Sequence, residues 1–239
     1  MSAELFGFNI NTLKFNDAIE KAVSCIEDNG LAQVITINPE MFAEAEVNEE
    51  FAKLLHSAEI IIPDGVGVKI ALKILGVPAD RIPGIDFAKK LLELSAQNGW
   101  TVAIIGAKDE VINKACQYLK RELPSLNIVY SHNGYFDNDD EIYSKISEVK
   151  PQLLLVAMGS PRQEFFISNI KKIVNRGLMV GIGGSLDVWS GSVKRAPKIF
   201  QKTGTEWFYR TITQPERVRR IFPTLPLFLL KAIKYKFFK

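Results

Sequence analysis

The segment QLLLVAMGSPRQEFFISNIKKIVNRGLMVGIGG, residues 152–184, contains two apolar runs that are joined by one helical pattern. The runs QLLLVAMG and LMVGIGG are continuously apolar, which is typical of strands covered on both faces in a parallel sheet. Between them, residues 161–177 have amphipathic spacing, with Pro161 suited to the first helical position and Gly177 suited to the stop. The order strand, helix, strand predicts a parallel βαβ unit.

The same alternation extends toward the N-terminus. Short apolar runs alternate there with helical patterns such as DEVINKACQYLKREL at 109–123. This order predicts an α/β fold with a doubly wound, mostly parallel, Rossmann-like sheet. Four further strands are predicted at 32–38, 59–64, 101–107 and 127–133.

Charged residues are distributed unevenly along the 239-residue chain. The net charge is only +3, from 30 Lys and Arg against 27 Asp and Glu. Residues 194–239 contain twelve of the basic residues and two of the acidic ones, which leaves eighteen and twenty-five for the rest. An acidic body with a basic tail predicts that the tail seeks phosphate groups on nucleic acid, on lipid or on a diphosphate substrate.

The pattern of the sequence changes near residue 195. We predict a catalytic α/β domain at 1–195 and a basic, aromatic appendage at 196–239 that contains no strand. The run IFPTLPLFLLKAI in the appendage is too short, and too interrupted by proline, to cross a bilayer. This region is predicted to form an interfacial helix on an anionic membrane, or else a helix docked on the body with its lysines facing water. The apolar stripe of the helix is predicted to consist of Leu227, Phe228, Leu230, Ile233 and Phe237.

The cysteines, the histidines and the acidic run lack the spacing that is typical of a metal or redox site. Cys25 and Cys116 lie in helical patterns and are expected to be buried, reduced thiols of a cytosolic protein. His56 and His132 are expected to be structural, and helix capping explains the acidic run at 137–140. Glycine-rich fingerprints for dinucleotides or nucleoside triphosphates are incomplete. We therefore expect neither a bound metal nor a cofactor.

Polar residues and glycines accumulate where the predicted strands end. In parallel α/β sheets, ligands bind beyond the carboxyl ends of the strands, where glycine turns lead into helices. This accumulation therefore predicts the site of an enzyme. Asp64 follows one buried strand in IIIPDGVGV and is either a cap of the next helix or a base for a substrate hydroxyl. The other residues at these ends include Thr36, Asn38, Gly106, Tyr135, Gly159, Arg162, Gln163, Gly184 and Asp187.

Seven short motifs, distributed along the chain, carry a resemblance to a known family. They are TINPE (36–40), PDGVGV (63–68), RIPGID (81–86), MGSPRQE (158–164), GIGGSLDVWSG (181–191), KRAP (194–197) and EWFYR (206–210). In this order and at this spacing they resemble the WecG/TagA/CpsF family of bacterial glycosyltransferases, over essentially the whole chain.

The resemblance implies a sugar transferase. It implies transfer of N-acetylmannosamine from UDP-N-acetylmannosamine to the 4-hydroxyl of N-acetylglucosamine on undecaprenyl diphosphate, with inversion and without a metal. UDP-glucose and UDP-N-acetylmannosaminuronic acid remain alternative donors. The product would serve teichoic acid or surface polysaccharide synthesis, with the enzyme cytoplasmic and peripheral on the inner face of the plasma membrane. Its partners would be these substrates and the anionic membrane surface, not nucleic acid, and its oligomeric state stays open.

The resemblance also implies roles for individual residues. Asp64 matches the family's base, and Gly65 and Gly67 beside it are expected to leave room for a sugar ring. The acceptor is expected to contact Thr36, Asn38, Arg81 and Gln163. The UDP donor is expected to contact Gly106, Tyr135, Gly159, Arg162, Gly184 and Asp187. The appendage is expected to close over the site and to supply Arg210, Arg217 and Arg220 to the diphosphate.

Alternatives remain for several of these roles. Tyr135 could pack in the core, Asp187 could cap a helix, and Arg81 could be a solvated loop residue. For the whole chain, the alternatives are a Rossmann-like nucleotide-sugar oxidoreductase and a membrane- or nucleic-acid-binding module that acts through its tail.

Overall fold

Eight strands and twelve helices are present in the computed structural model of the chain, which describes residues 2–213 and 218–238. Within the helices, the side chains at 202, 210, 211, 213, 218–222 and 238 lie outside this description. The strands are β1 Ser2–Leu5, β2 Phe8–Asn11, β3 Leu31–Ile37, β4 Ile60–Pro63, β5 Thr101–Gly106, β6 Asn127–His132, β7 Leu153–Ala157 and β8 Gly177–Gly181.

The helices fall between the strands and after the last strand. The first nine are α1 Phe15–Glu27, α2 Pro39–Val47, α3 Glu49–His56, α4 Val66–Ile74, α5 Gly84–Asn98, α6 Asp109–Glu122, α7 Asp139–Val149, α8 Arg162–Lys171 and α9 Ser185–Trp189. The C-terminal three are α10 Lys198–Thr203, α11 Glu206–Thr213 and α12 Val218–Phe238.

All six predicted strands form one sheet, in the order β4-β3-β8-β7-β5-β6, and every pairing between neighbours is parallel. The prediction of an α/β fold with a parallel sheet is therefore confirmed. Alternate residues of each central strand enter different hydrophobic clusters. On β3, for example, Val34 packs with α1 and α5, whereas Ile35 packs with α3 and α4. Helices thus cover both faces of the sheet, which explains why these strands are apolar without alternation.

The N-terminal hairpin of β1 and β2 was not predicted. Its strands are antiparallel and pair Ser2 with Asn11. Leu5, Phe8 and Ile10 are buried in the cluster that lies under α2, α3 and α4. The Asn11 side chain also accepts a hydrogen bond from the Ile61 amide, at 2.8 Å. The hairpin therefore closes the outer edge of β4.

Helix α8 is shorter than predicted at both ends. Pro161 is its N-cap and not its first residue, and the helix ends at Lys171, six residues before Gly177. The helix that begins at Asp109, by contrast, has the predicted extent within one residue. The Asn138 side chain accepts a hydrogen bond from the Asp140 amide at 3.0 Å, so helix capping does account for the acidic run.

Helix α12 packs on α2, α4 and the hairpin through one of its faces. Phe228 and Ala232 are buried there, and the Phe228 ring lies 5.4 Å from that of Phe6 and 5.1 Å from that of Phe42. The Tyr235 hydroxyl donates to Glu4 at 2.5 Å. Phe228 therefore belongs to the docked face and does not share one stripe with the other four predicted residues, which corrects that part of the prediction. The exposed face carries Leu227, Leu230, Ile233 and Phe237.

Helix α12 is docked on the body and also presents an apolar surface to solvent, and its contact with a membrane stays a prediction. Lys231 on its flank forms an ion pair with Glu46. Within the described residues, no helix has the length and apolar character that crossing a bilayer requires. No strand follows residue 195 in the described part of the chain.

Candidate active site

A cavity of about 430 Å³ opens at the carboxyl ends of β3, β4, β7 and β8. Because Ile37 pairs with Pro63 in the parallel ladder, the residues that follow, Asn38 and Asp64, emerge side by side. The loop before α5 and residues of α11 and α12 complete the wall. The sequence-predicted residues that line this cavity are Thr36, Asn38, Asp64, Arg81, Gly159, Gln163 and Gly184.

Asp64 is half-buried in the wall of this cavity. Its backbone amide donates to the Ile37 carbonyl at 3.0 Å, which fastens it to the end of β3. The N-cap position of α4 belongs to Gly65 and not to Asp64. The carboxylate thus stands at the end of a strand in an open cavity, which is the placement that a base for a substrate hydroxyl requires.

Gly84 keeps the space beside Asp64 open. A Cβ atom at this position would lie 3.4 Å from Oδ2 of Asp64, and 3.1 and 3.2 Å from the two side-chain tips of Thr36. Sequence reasoning missed this glycine, although it lies in the RIPGID motif. The signal was a glycine just after a proline in a segment that already contained a candidate residue, Arg81.

Gly65 and Gly67 are required for the packing of neighbouring elements. A Cβ atom at Gly65 would lie 2.8 Å from Cδ of Pro39. At Gly67 it would lie 2.6 Å from Cδ1 of Leu225 and 2.7 Å from Cγ of Pro39. The two glycines therefore allow the starts of α2 and α4 and the helix α12 to pack closely. Both glycines line the cavity, and the expectation that they leave room for a sugar ring stays a prediction.

Asn38 combines a structural role with a place in the cavity wall. Its Oδ1 accepts hydrogen bonds from the amides of Glu40 at 2.9 Å and Met41 at 3.2 Å, which caps α2. Because Oδ1 is used in this way, the amide nitrogen Nδ2 is the group that Asn38 can direct to a ligand.

Arg81 is anchored and not solvated, which corrects the alternative of a free loop arginine. Its side chain is 13% exposed, and Nη2 lies 3.5 Å from Oε2 of Glu206, at the start of α11. Both residues line the cavity. Arg81 is thus held at the point where the C-terminal helices meet the ends of the strands.

Gln163 is held from two sides. Its Nε2 donates to Oε1 of Glu164 at 2.7 Å, and its Oε1 accepts from the Gly183 amide at 3.1 Å. A Cβ atom at Gly181 would lie 2.5 Å from the same Nε2, so this pair fits only against a glycine. Burial raises the pKa of Glu164, and hydrogen bonds from Gln163 and Ser160 oppose that shift. Gln163 therefore shapes the turn after β8, and Glu164, which sequence reasoning missed, fixes its orientation.

Four of the predicted donor residues lie outside the lining of this cavity: Gly106, Tyr135, Arg162 and Asp187. Gly106 has φ of +137°, and a Cβ atom there would lie 2.3 Å from the Ala157 carbonyl oxygen, so strand packing alone requires a glycine. Their contact with the donor stays a prediction.

The surroundings of the other three residues are polar or open. Tyr135 is 68% exposed on the loop after β6, so the alternative of core packing is wrong. The Arg162 guanidinium lies 5.5 Å from the centre of the Phe136 ring. Asp187 lies in the first turn of α9, and its carboxylate oxygen is close to Gly184, the N-cap of that helix.

Charges in the cavity wall are predominantly acidic among the described residues. Three carboxylates, those of Glu40, Asp64 and Glu206, face one arginine, Arg81. The predicted diphosphate-binding residue Arg217 lies outside the described residues. Arg210 and Arg220 belong to α11 and α12, with side chains that are likewise outside the description.

The two histidines and the two cysteines have structural surroundings. His56 stacks on Phe8, with ring centres 4.4 Å apart, and His132 lies against Phe136. Cys25 and Cys116 are free thiols that are partly buried, less deeply than predicted. In the described part of the chain, no group of three or more His, Cys, Asp or Glu side chains is arranged to hold a metal ion.

Comparisons with known proteins identify the family of the chain. The profile of the glycosyl transferase WecG/TagA/CpsF family matches residues 3–239. A similar protein of Bacillus spizizenii, named N-acetylglucosaminyldiphosphoundecaprenol N-acetyl-beta-D-mannosaminyltransferase, is 37% identical over 95% of this chain and 91% of its own. A protein of the same name from Staphylococcus aureus strain NCTC 8325 is 36% identical over 85% of this chain and 80% of its own. The chain therefore belongs to the WecG/TagA/CpsF family of glycosyl transferases.

Proposed function

We propose that this glycosyltransferase moves N-acetylmannosamine from UDP-N-acetylmannosamine to the 4-hydroxyl of N-acetylglucosamine on undecaprenyl diphosphate. The names of the relatives support both the sugar and the lipid acceptor. The observation that carries the proposal is the cavity in which Asp64 stands beside Thr36, Asn38 and Arg81. Its volume of about 430 Å³ is in the range of small-molecule sites.

The reaction is a single displacement with inversion, and Asp64 is its base. The carboxylate takes the proton of the acceptor hydroxyl while that oxygen forms a bond to the anomeric carbon of the donor sugar. The bond from this carbon to the UDP oxygen breaks on the opposite face, and its electron pair leaves with UDP. Gly84 matters in this step because it leaves the Asp64 oxygen accessible to the hydroxyl.

Negative charge that develops on UDP must be stabilised, and in our proposal the protein does this without a metal. Helix α8 begins at the cavity, where Gly159, Ser160 and Gln163 form part of the wall, so the positive end of its dipole lies near a bound anion in our proposal. Arginines of the C-terminal helices supply the remaining positive charge, since a guanidinium binds two phosphate oxygens at once. Arg210, Arg217 and Arg220 have this role in our proposal.

The C-terminal helices also bring the enzyme to its lipid substrate. We assign residues 1–195 to the catalytic domain and 196–239 to an appendage that docks on it. The exposed face of α12, with Leu227, Leu230 and Phe237, inserts among lipids, while neighbouring lysines meet anionic head groups. We further propose that the enzyme acts on the cytoplasmic face of the plasma membrane, in teichoic acid or surface polysaccharide synthesis.

The test is UDP release with a panel of donors and a short-chain lipid diphosphate acceptor that carries N-acetylglucosamine. UDP-N-acetylmannosamine should be the best donor, above UDP-glucose and UDP-N-acetylmannosaminuronic acid, and EDTA should leave the rate unchanged. Asp64→Asn should fold normally and lose about 10²- to 10⁴-fold in turnover, the usual contribution of a positioned base.

Asp80→Asn is the matched control for this test. Asp80 lies in the loop next to Arg81, is exposed, and has only a loose ion pair with Lys69 at 3.8 Å. It is absent from the lining of the cavity, so its substitution should leave turnover within a factor of two or so. Near-normal turnover of Asp64→Asn would refute the role of the base. A preference for the uronic acid or glucose donor would instead refute only the choice of sugar.

A further inference from the structure

Four charged residues connect the C-terminal helices to the cavity through a chain of ion pairs. Arg195 donates to both carboxylate oxygens of Asp86, at 2.6 and 2.7 Å. Its Nε lies 3.6 Å from Oε1 of Glu206, and Oε2 of Glu206 lies 3.5 Å from Nη2 of Arg81. Glu206 is therefore placed between two arginines, one on each side of the junction.

Glu206 is buried, so its negative charge depends on positively charged partners. The residue is 6% exposed, and it lines the cavity together with Arg81. A carboxylate at such depth is stable only with positive partners, and an arginine as buried as Arg81 needs an acidic one. Arg195 and Asp86, by contrast, lie outside the cavity lining. Their ion pair to Glu206 links them to the cavity wall.

Arg81 depends on such a partner because its backbone is irregular. Residues 77–83 form neither helix nor strand. Next to Arg81, the Ile82 amide donates to the carbonyl of Pro63, the residue before Asp64, at 2.8 Å. The direction of the Arg81 side chain must therefore be set by what its guanidinium contacts.

We propose that Glu206 is a positioning residue, which holds the Arg81 guanidinium at the acceptor end of the cavity only while α11 is docked. Arg195, fixed by Asp86, holds Glu206 in turn. The acceptor site therefore has its correct geometry only when the C-terminal helices are docked, and undocked enzyme binds the acceptor poorly. This inference rests on the proposed function, because that proposal assigns Arg81 to the acceptor.

The first experiment follows amide hydrogen exchange and does not require turnover. In the full-length Glu206→Gln variant, exchange of the Ile82 amide should become about tenfold faster than in the wild type, because the loop has lost the partner of Arg81. Glu110→Gln is the control, since it removes an exposed ion pair with Lys114 at 2.6 Å on another helix. Unchanged exchange at Ile82 in Glu206→Gln would overturn the proposal even if the wild type transfers no sugar.

The second experiment is a double-mutant cycle with the lipid acceptor varied. Glu206→Gln should lower kcat/KM for the acceptor about 10- to 100-fold, as expected for a misplaced positioning group, with little change in the KM of the donor. In an Arg81→Ala background the same substitution should have less than about a twofold further effect, since Glu206 acts through Arg81. Additive losses would show that Glu206 acts independently and would refute the inference.

A third variant covers the case in which Glu206→Gln fails to fold. Arg195→Lys keeps the positive charge but loses the paired hydrogen bonds to Asp86. With Arg81 present, Arg195→Lys should lower kcat/KM for the acceptor less than Glu206→Gln does. In the Arg81→Ala background, Arg195→Lys should cause no further loss. Equal losses in both backgrounds would contradict the proposed order of contacts.

Discussion

Substitution of Phe228 by alanine should release helix α12 from the body. The ring is 4% exposed and lies between those of Phe6 and Phe42, at 5.4 and 5.1 Å. Truncation of a buried phenylalanine to alanine costs about 3–5 kcal/mol, because apolar contact is lost and a cavity remains. Since α12 follows the last strand and packs on the surface of the body, this loss should fall on helix docking and not on the sheet.

The expected size of the effect follows from that free energy. At about 1.4 kcal/mol for each factor of ten, the ratio of docked to undocked helix should fall by about 10² to more than 10³. Amide hydrogen exchange measures this ratio as lost protection in α12, while protection in the central strand β7 should not change. Because Leu225 of α12 lines the cavity, transferase activity should fall along with docking.

Leu227→Ala is the matched control for Phe228→Ala. Leu227 precedes Phe228 in the same helix but is 56% exposed, so its truncation should change docking by no more than about 0.5 kcal/mol. Equal protection of α12 in wild type and Phe228→Ala would refute the argument that this ring anchors the helix. Loss of protection in β7 as well would refute the separation of docking from folding.

Three other substitutions test separate parts of the structure. Gly84→Ala should keep its melting temperature but lose about tenfold in acceptor kcat/KM, since the new Cβ atom would press on Thr36 at 3.1 Å; unchanged steady-state kinetics would contradict this. Burial raises the pKa of Glu164 above its ordinary value of 4.5, so the folded protein retains a proton that the unfolded chain releases, and stability should fall as the pH rises from about 4.5 toward the raised pKa. Urea unfolding at several pH values should show this decline in the wild type and not in Glu164→Gln, and parallel curves would count against it. Leu227→Gln with Leu230→Gln should weaken co-sedimentation with anionic vesicles at an unchanged melting temperature, whereas equal binding would exclude this face from the membrane contact.

The sheet could be predicted from the sequence because its strands carry a strong local signal. The five inner or covered strands are mainly apolar and are closely followed by glycine or a polar residue, whereas β6 is a mixed strand that alternates exposed and half-buried residues; all six lie where they were predicted. The hairpin was not predicted, since β1 and β2 have only four residues each, and an alternation as short as that of Phe8 and Ile10 is a weak signal.

The composition of the site was predictable, but its internal contacts were not. Strand ends converge in any parallel sheet, which is why Thr36, Asn38 and Asp64 were expected to meet. The use of each glycine, however, depends on what approaches it from elsewhere in the chain. Gly67 faces α12, which lies more than 150 residues away in sequence, and only the folded chain shows that Gly84 is the residue that opens the space at Asp64.

The two edges of the sheet differ in what they offer to a second molecule. At β4, the outward amide of Ile61 is satisfied by Asn11, and the hairpin lies alongside. At β6, the opposite edge, alternate residues such as Val129 face solvent. An uncovered strand edge is a template for the addition of another strand. The hairpin thereby blocks such an addition at β4, the edge that leads into Asp64.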